Sequence, residues 1–398
     1  MAHEKIHPGT TRYVWEQLAS YRLLGQSQYD LIDASPYKQL LILDTPFHLH
    51  KTGDPTVPFD QINYFTNILQ EHRELVPDLI AGRAKLVFMF TDAWSTVNRW
   101  ETHRQMSGNM LALDLYNILF DVCASAGILE HSCFCTPSSL QDVRQHAKWP
   151  IIYYNEPFNR YFEFEDGMRV QNGSFEKHFF WLNRRTRQHR LYALHQANKF
   201  ELFDNSIYTF YDYDEGHQGG EAYYPHELKQ FIPEDQIDLS FLDRRTPEGI
   251  LDPDYSTVHD YQHVRELHGL KQHADRCYVE LVSEFTGSDQ KVFLTEKIAR
   301  SIVMGKPFIV FGDKAMLSEL HRLGFKTFNK FWDESYDLLP TMKQRIDAAL
   351  EVAVHIRDSV DLSMGYSEEM MQILEHNRRH YYTQYMTQQM ENFRKAVQ

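Results

Sequence analysis

The stretch VSEFTGSDQKVFLTEKIARSIVMGKPFIVFG (282–312) decides the fold. With the residues just before it, CYVELVSE (277–284), it reads as a buried strand running into a polar loop that carries Ser283, Glu284 and Thr286. The Thr295-Glu296-Lys297 triplet then opens a helix, and KPFIVFG (306–312) is the next strand. Thr295 suits an N-cap, because its hydroxyl can take an N–H of the first helical turn, and Glu296 is stabilised beside the positive end of the helix. A strand, a loop, a helix and a second strand form the unit from which parallel sheets covered by helices are built.

The same alternation extends outward. Downstream, KAMLSELHRLG (314–324) is a helix ending at Gly324, FKTF (325–328) a short strand, and 339–360 and 366–395 two further helices. Upstream lie a strand in HFFWLN (178–183), a helix at 188–199 and a strand in SIYTFYDYD (206–214). The segment 216–268 is rich in Gly, Pro and Asp with little periodicity, and reads as a long irregular insertion. In the first half, strands are expected in YKQLLILDTPFHLH (37–50), KLVFMF (85–90), HSCFCTP (131–137) and WPIIYYN (149–155), with an amphipathic helix in MLALDLYNILFDVCASAGI (110–128). The expected architecture is α/β, with an N-terminal Rossmann-like acceptor domain at 1–175, a C-terminal Rossmann-like donor domain at 176–365, and a final helix at 366–398 that crosses back.

Bulk properties agree with a multidomain globular chain. Its 398 residues exceed one domain of about 150, and the 42 % hydrophobic and 24 % charged content is ordinary. No run of about 18 apolar residues predicts a spanning helix, and MAHEKIHPGTTRYVW lacks the apolar core of a signal peptide, so no membrane partner and a cytoplasmic location (host cytoplasm, if viral) are expected. Cys123, Cys133, Cys135 and Cys277 fit reduced thiols. The net charge of −14 weighs against a nucleic-acid partner, although a local basic groove on an acidic protein would still serve one.

The segment LNRRTRQHR (182–190) lies between a strand and a helix. Such loops sit at the carboxyl edge of an open α/β sheet, where ligands bind. Arg184, Arg185, Arg187 and Arg190 there suit a diphosphate, aided by the helix N-terminus; the competing reading is a solvated basic turn. For the 295–297 triplet, helix capping and ligand binding are both open, and neither excludes the other.

Asn183 and Arg190, then Glu284, Thr295, Glu296 and Lys297, and finally Pro307 and Gly312 form a pattern that resembles the C-terminal half of the α1,3-fucosyltransferase family. The block with LGFKTFNKFWDESYD (323–337) is also similar to glycosyltransferase-like proteins of bacterial viruses. The resemblance covers about 130 residues and implies a GT-B glycosyltransferase, a hexosyl- or pentosyltransferase with a nucleotide-diphosphate sugar as co-substrate. It implies that Arg190 and Lys297 hold the diphosphate and Glu296 the ribose. Asn183, Arg187, Glu284 and Thr295 complete the expected donor site. Phe285 stands where the fucosyltransferase pattern has Asn, so that family's sugar and base do not carry over.

Glycosyl transfer also needs a carboxylate to take the acceptor's proton. Asp92, just beyond KLVFMF, and Asp44, near His48 and His50, are the expected candidates, with Glu156 a third. Asp212 and Asp214 spell the DxD metal signature of the other glycosyltransferase fold, but short acidic pairs arise readily by chance. No metal or other cofactor is expected. The acceptor is expected to be a glycan or small molecule; a hydroxylated nucleic-acid base is the alternative, and a non-catalytic nucleotide-sugar or glycan binder is a reading from another class.

Overall fold

The computed structural model describes residues 2–6, 12–16, 31, 34–36, 39–44, 70, 73–89, 120–136, 151–159, 169–185, 187–213, 223–246, 262–284 and 292–398. The chain divides into two compact units, one formed by Met1–Pro157 with Met386–Gln398 and the other by Phe158–Tyr385. Among the described residues, no helix is long and apolar enough to cross a membrane.

The first unit holds a six-stranded sheet in sequential order: β1 (Ala2–Ile6), β2 (Arg12–Glu16), β3 (Gln39–Asp44), β4 (Ala84–Met89), β5 (Ser132–Thr136) and β6 (Ile151–Tyr153). β1 pairs antiparallel with β2, and every later pair is parallel. A short helix, α1 (Val76–Ile80), with Pro77 in its first turn, precedes β4. Residues 84–88 are buried without alternation, as expected of a parallel strand covered on both faces. One cover is the helix Met386–Val397, whose Phe393, Ala396 and Val397 form a core with Val87, Cys135 and Tyr154. Its last carbonyls lack partners within the helix and find them on the sheet side, where Cys133 Sγ donates to Ala396 O (3.2 Å) and Ser35 Oγ to Val397 O (2.6 Å).

The second unit holds four parallel strands in the order β10-β9-β7-β8. These are β7 (Lys177–Arg185), β8 (Ser206–Tyr213), β9 (Cys277–Ser283) and β10 (Phe308–Phe311). The helices are α2 (Gln188–Lys199), α3 (Tyr223–Leu228), α4 (Gln262–Ala274), α5 (Glu296–Met304), α6 (Met316–Arg322), α7 (Met342–Ser359) and α8 (Glu368–His380), the last followed by a π-helical turn at Tyr381–Tyr385. The chain leaves β7 through α2 to β8 on one side, and β9 through α5 to β10 on the other. The register puts Trp181 beside Leu281 and Phe180 beside Glu280. Glu280 meets Arg300 and Ser301 of α5, whereas Phe210, opposite Asn183, stacks on Phe241, which meets His195 of α2. The two helices therefore cover opposite faces, and the direction of winding reverses between β7 and β9.

Two expectations change here. Residues 325–328 form no strand; Lys326 is held instead by Asn377, whose side chain makes bonds of 2.7 Å with both its N–H and its carbonyl, and Phe325 packs edge-on to His380. The segment 216–268 is not wholly irregular, since α3 and the start of α4 fall within it. Among its described side chains α4 buries Leu267, Leu270 and Ala274, a stripe that its His and Gln content obscures in sequence.

Candidate functional site

The carboxyl ends of β7 and β9 lie side by side where the winding reverses, the place at which open α/β sheets present a crevice to ligands. Asn183 lies near the end of β7, and Glu284 follows the last residue of β9. Helices α2 and α5 begin just beyond, so two N-termini open at this edge. Each brings uncompensated N–H groups and a partial positive charge.

Glu284 organises the crevice through both ends of the residue. Its carbonyl accepts Arg190 Nη2 (2.8 Å), Arg190 Nε (3.2 Å) and His189 Nε2 (2.9 Å), all from the first turn of α2. Its carboxylate takes the Thr295 hydroxyl at Oε2 (2.5 Å) and the Thr295 N–H at Oε1 (3.4 Å). Thr295 in turn caps α5, its Oγ1 accepting the Lys297 N–H (3.3 Å). One buried residue thus ties the starts of both helices to the end of one strand.

Lys297 Nζ lies 3.3 Å from Thr295 Oγ1 and 2.7 Å from Glu296 Oε1, and its side chain keeps 19 % exposure. Burial pulls its ammonium below the usual lysine range, Glu296 and Glu284 oppose that, and Arg190 adds repulsion. The His189 imidazole is held well below its ordinary range by burial and by Arg190. Arg187 is the N-cap of α2, without a side-chain cap bond, and is partly exposed.

Asn183 is 1 % exposed. Its N–H donates to Thr209 Oγ1 (3.0 Å), but among the described residues neither Oδ1 nor Nδ2 of its side chain has a hydrogen-bond partner. A nearby polar pair is satisfied: Trp181 Nε1 donates to Ser283 Oγ at 2.8 Å. Gly312 follows the last residue of β10, and a Cβ there would meet Glu284 Cβ at 3.0 Å and Met316 Sδ more closely still. Asp313 accepts the Phe293 N–H at 3.0 Å and holds the approach to Thr295.

The structure therefore gathers Asn183, Arg187, Arg190, Glu284, Thr295, Glu296 and Lys297 around one strand-edge crevice. Arg190 reaches it differently from the expectation, with two of its N–H groups on a backbone carbonyl. His189 was not singled out in the sequence; its place between two arginines at a helix start was the available signal. Arg184 and Arg185 end β7, but their side chains lie outside the described residues. Asp44 ends β3, Glu156 opens a short helix and Asp212 lies on β8, again with side chains outside the described residues; Asp92 and Asp214 lie wholly outside them.

No protein-family model matches the sequence. No curated protein matches it either. Among solved structures, the chain is similar to a DNA-modifying beta-glucosyltransferase determined with and without uridine diphosphoglucose, at 9 % identity, 90 % coverage of this chain, 81 % of that chain and a TM-score of 0.39. It is also similar to the T4 phage BGT in complex with UDP and Mn²⁺, at 8 % identity, 92 % and 84 % coverage and a TM-score of 0.39. The expectation of a metal-free site is corrected by that second structure, which holds Mn²⁺ with UDP.

Proposed function

We propose that the chain is a GT-B glycosyltransferase that takes a sugar from a nucleotide-diphosphate donor and moves it to a hydroxyl acceptor on a glycan or small molecule. The observation that supports this is the pairing of two helix N-termini with Arg187, Arg190 and Lys297 at the β7/β9 switch point, a cationic edge on a chain of net charge −14. Such an edge suits a diphosphate. In the reaction the bond from the anomeric carbon to the diphosphate breaks, the acceptor oxygen bonds to that carbon, and the acceptor proton passes to a carboxylate, for which Asp92 and Asp44 are proposed. Negative charge grows on the departing diphosphate, and fixed cations with oriented N–H groups stabilise that charge without reorganising.

Thermal shifts with UDP, GDP, CDP and ADP, each with and without Mn²⁺, test the donor site. A ligand at about a hundredfold over its dissociation constant adds roughly 2.7 kcal/mol of stability. Selective stabilisation by one diphosphate, lost in Lys297→Ala, is expected. No shift with any of the four would sink the assignment. Donor hydrolysis without acceptor then separates an enzyme from a binder, and transfer to hydroxylated DNA in place of glycans would identify a nucleic-acid acceptor.

A further inference from the structure

We infer that Asn183 selects the sugar of the donor, its side-chain amide gripping sugar hydroxyls at the β7/β9 switch point. The inference rests on the donor-site reading and deepens it. Its basis is the amide itself: buried to 1 % exposure, with both Oδ1 and Nδ2 unpartnered among the described residues, near a Trp181–Ser283 pair that is satisfied. A buried amide left empty at both ends is costly, and folded proteins rarely keep one without a use.

The chemistry of the amide narrows what it meets. Phosphate oxygens only accept hydrogen bonds; they would satisfy Nδ2 and leave Oδ1 facing negative charge. An amide presents an acceptor and a donor side by side, and its complement is a group that both donates and accepts. Adjacent sugar hydroxyls do so. The ribose hydroxyls share this chemistry, and burial distinguishes the two. Glu296 and Lys297 keep 24 % and 19 % of their side chains exposed, whereas Asn183 is closed off. The sugar is the reacting group, and it is the part of the donor that must be kept from water.

Asn183→Ala and the near-isosteric Asn183→Asp test this by calorimetric titration with two matched pairs, UDP with UDP-glucose and GDP with GDP-mannose. The wild type is expected to bind the sugar-bearing member of one pair more tightly than its diphosphate. In both variants the sugar nucleotide should weaken about tenfold or more, since a site built for a hydroxyl is left with unpaired groups, while the diphosphate changes by less than about twofold. The apoprotein should melt no lower in Asn183→Ala, because no side-chain hydrogen bond is lost; a protein held together by this amide would melt lower. Equal weakening of diphosphate and sugar nucleotide, or no weakening of either, would overturn the role of Asn183 alone. Failure of the wild type to bind any of the four probes would overturn the donor site and this inference together. If Asn183→Ala does not fold, Asn183→Asp carries the test, because a carboxylate cannot donate where Nδ2 did.

Discussion

The Thr295 hydroxyl donates to the Glu284 carboxylate at 2.5 Å, and through that bond the cap of one helix is fixed to the end of the strand beside it. Thr295→Val keeps the shape and removes the hydroxyl. It takes away the N-cap, worth about 1 kcal/mol, and leaves a buried carboxylate short of a donor, worth roughly 1–3 kcal/mol more. Denaturant unfolding should show a loss of that size, with weaker diphosphate binding. A variant as stable as the wild type would show that the bond carries no load.

Arg187 is a partly exposed cation of this edge. Arg187→Ala should weaken diphosphate binding several-fold at low salt and barely at all in about 1 M salt, where the screening length falls to about 3 Å. Stability should stay within about 0.5 kcal/mol of the wild type. A salt-independent loss of affinity would point to shape rather than charge.

Gly312 has no room for a side chain beside Glu284 and Met316. Gly312→Ala forces them to move and should cost about 1–3 kcal/mol. Met316 Sδ lies nearer and moves first, but Glu284 Cβ must also give by a few tenths of an ångström, so nucleotide stabilisation should fall along with the melting temperature. Intact binding in a destabilised variant would place the strain on Met316 alone.

A half-buried carboxyl and a buried ammonium bend the pH dependence of stability in opposite directions. Burial raises the Glu334 carboxyl from 4.5 to about 7, against bonds from Thr327 and Phe328 that favour its charge. The folded state then holds a proton that the unfolded state has lost, so stability falls as pH rises from 4.5 towards 7. Burial lowers the Lys306 ammonium from 10.5 to about 7; it lies over the rings of Phe175 and Tyr366 with Nζ 2.5 Å from the Cys277 carbonyl. Here the unfolded state holds the extra proton, so stability rises from pH 7 towards 10.5. Together they contribute a minimum near neutrality, on the order of a few kcal/mol deep. Glu334→Gln should flatten the acid limb and Lys306→Met the alkaline one, as read by denaturant midpoints across pH 5–10. Limbs unchanged in both variants would assign the curvature elsewhere.

The parallel α/β plan was legible because its signals are local. Uninterrupted apolar runs mark strands buried on both faces, and Thr295 ahead of Glu296 marks a helix start. The switch point was not legible, since strand order depends on which side each crossover takes. The hydrogen-bonding choices were not legible. Arg190, which the resemblance sets against the diphosphate, bonds a carbonyl 94 residues away, and the Asn183 side chain has no hydrogen-bond partner among the described residues; neither choice shows in residue type or spacing. The expected strand at 325–328 failed because its apolar spacing serves contacts with α8 rather than a ladder.

The helix Met386–Val397 belongs to the unit that begins at residue 1. Asn392 bonds the carbonyl of Tyr153 across 239 residues of chain, and the intervening unit, Phe158–Tyr385, is continuous in sequence. During synthesis that second unit has all its parts before the first has its last one. Completion therefore runs opposite to translation, and the nascent first sheet exposes the Val87, Cys135 and Tyr154 surface until the final helix arrives. A ribosome-bound chain should show that surface to a holdase throughout the making of residues 158–385.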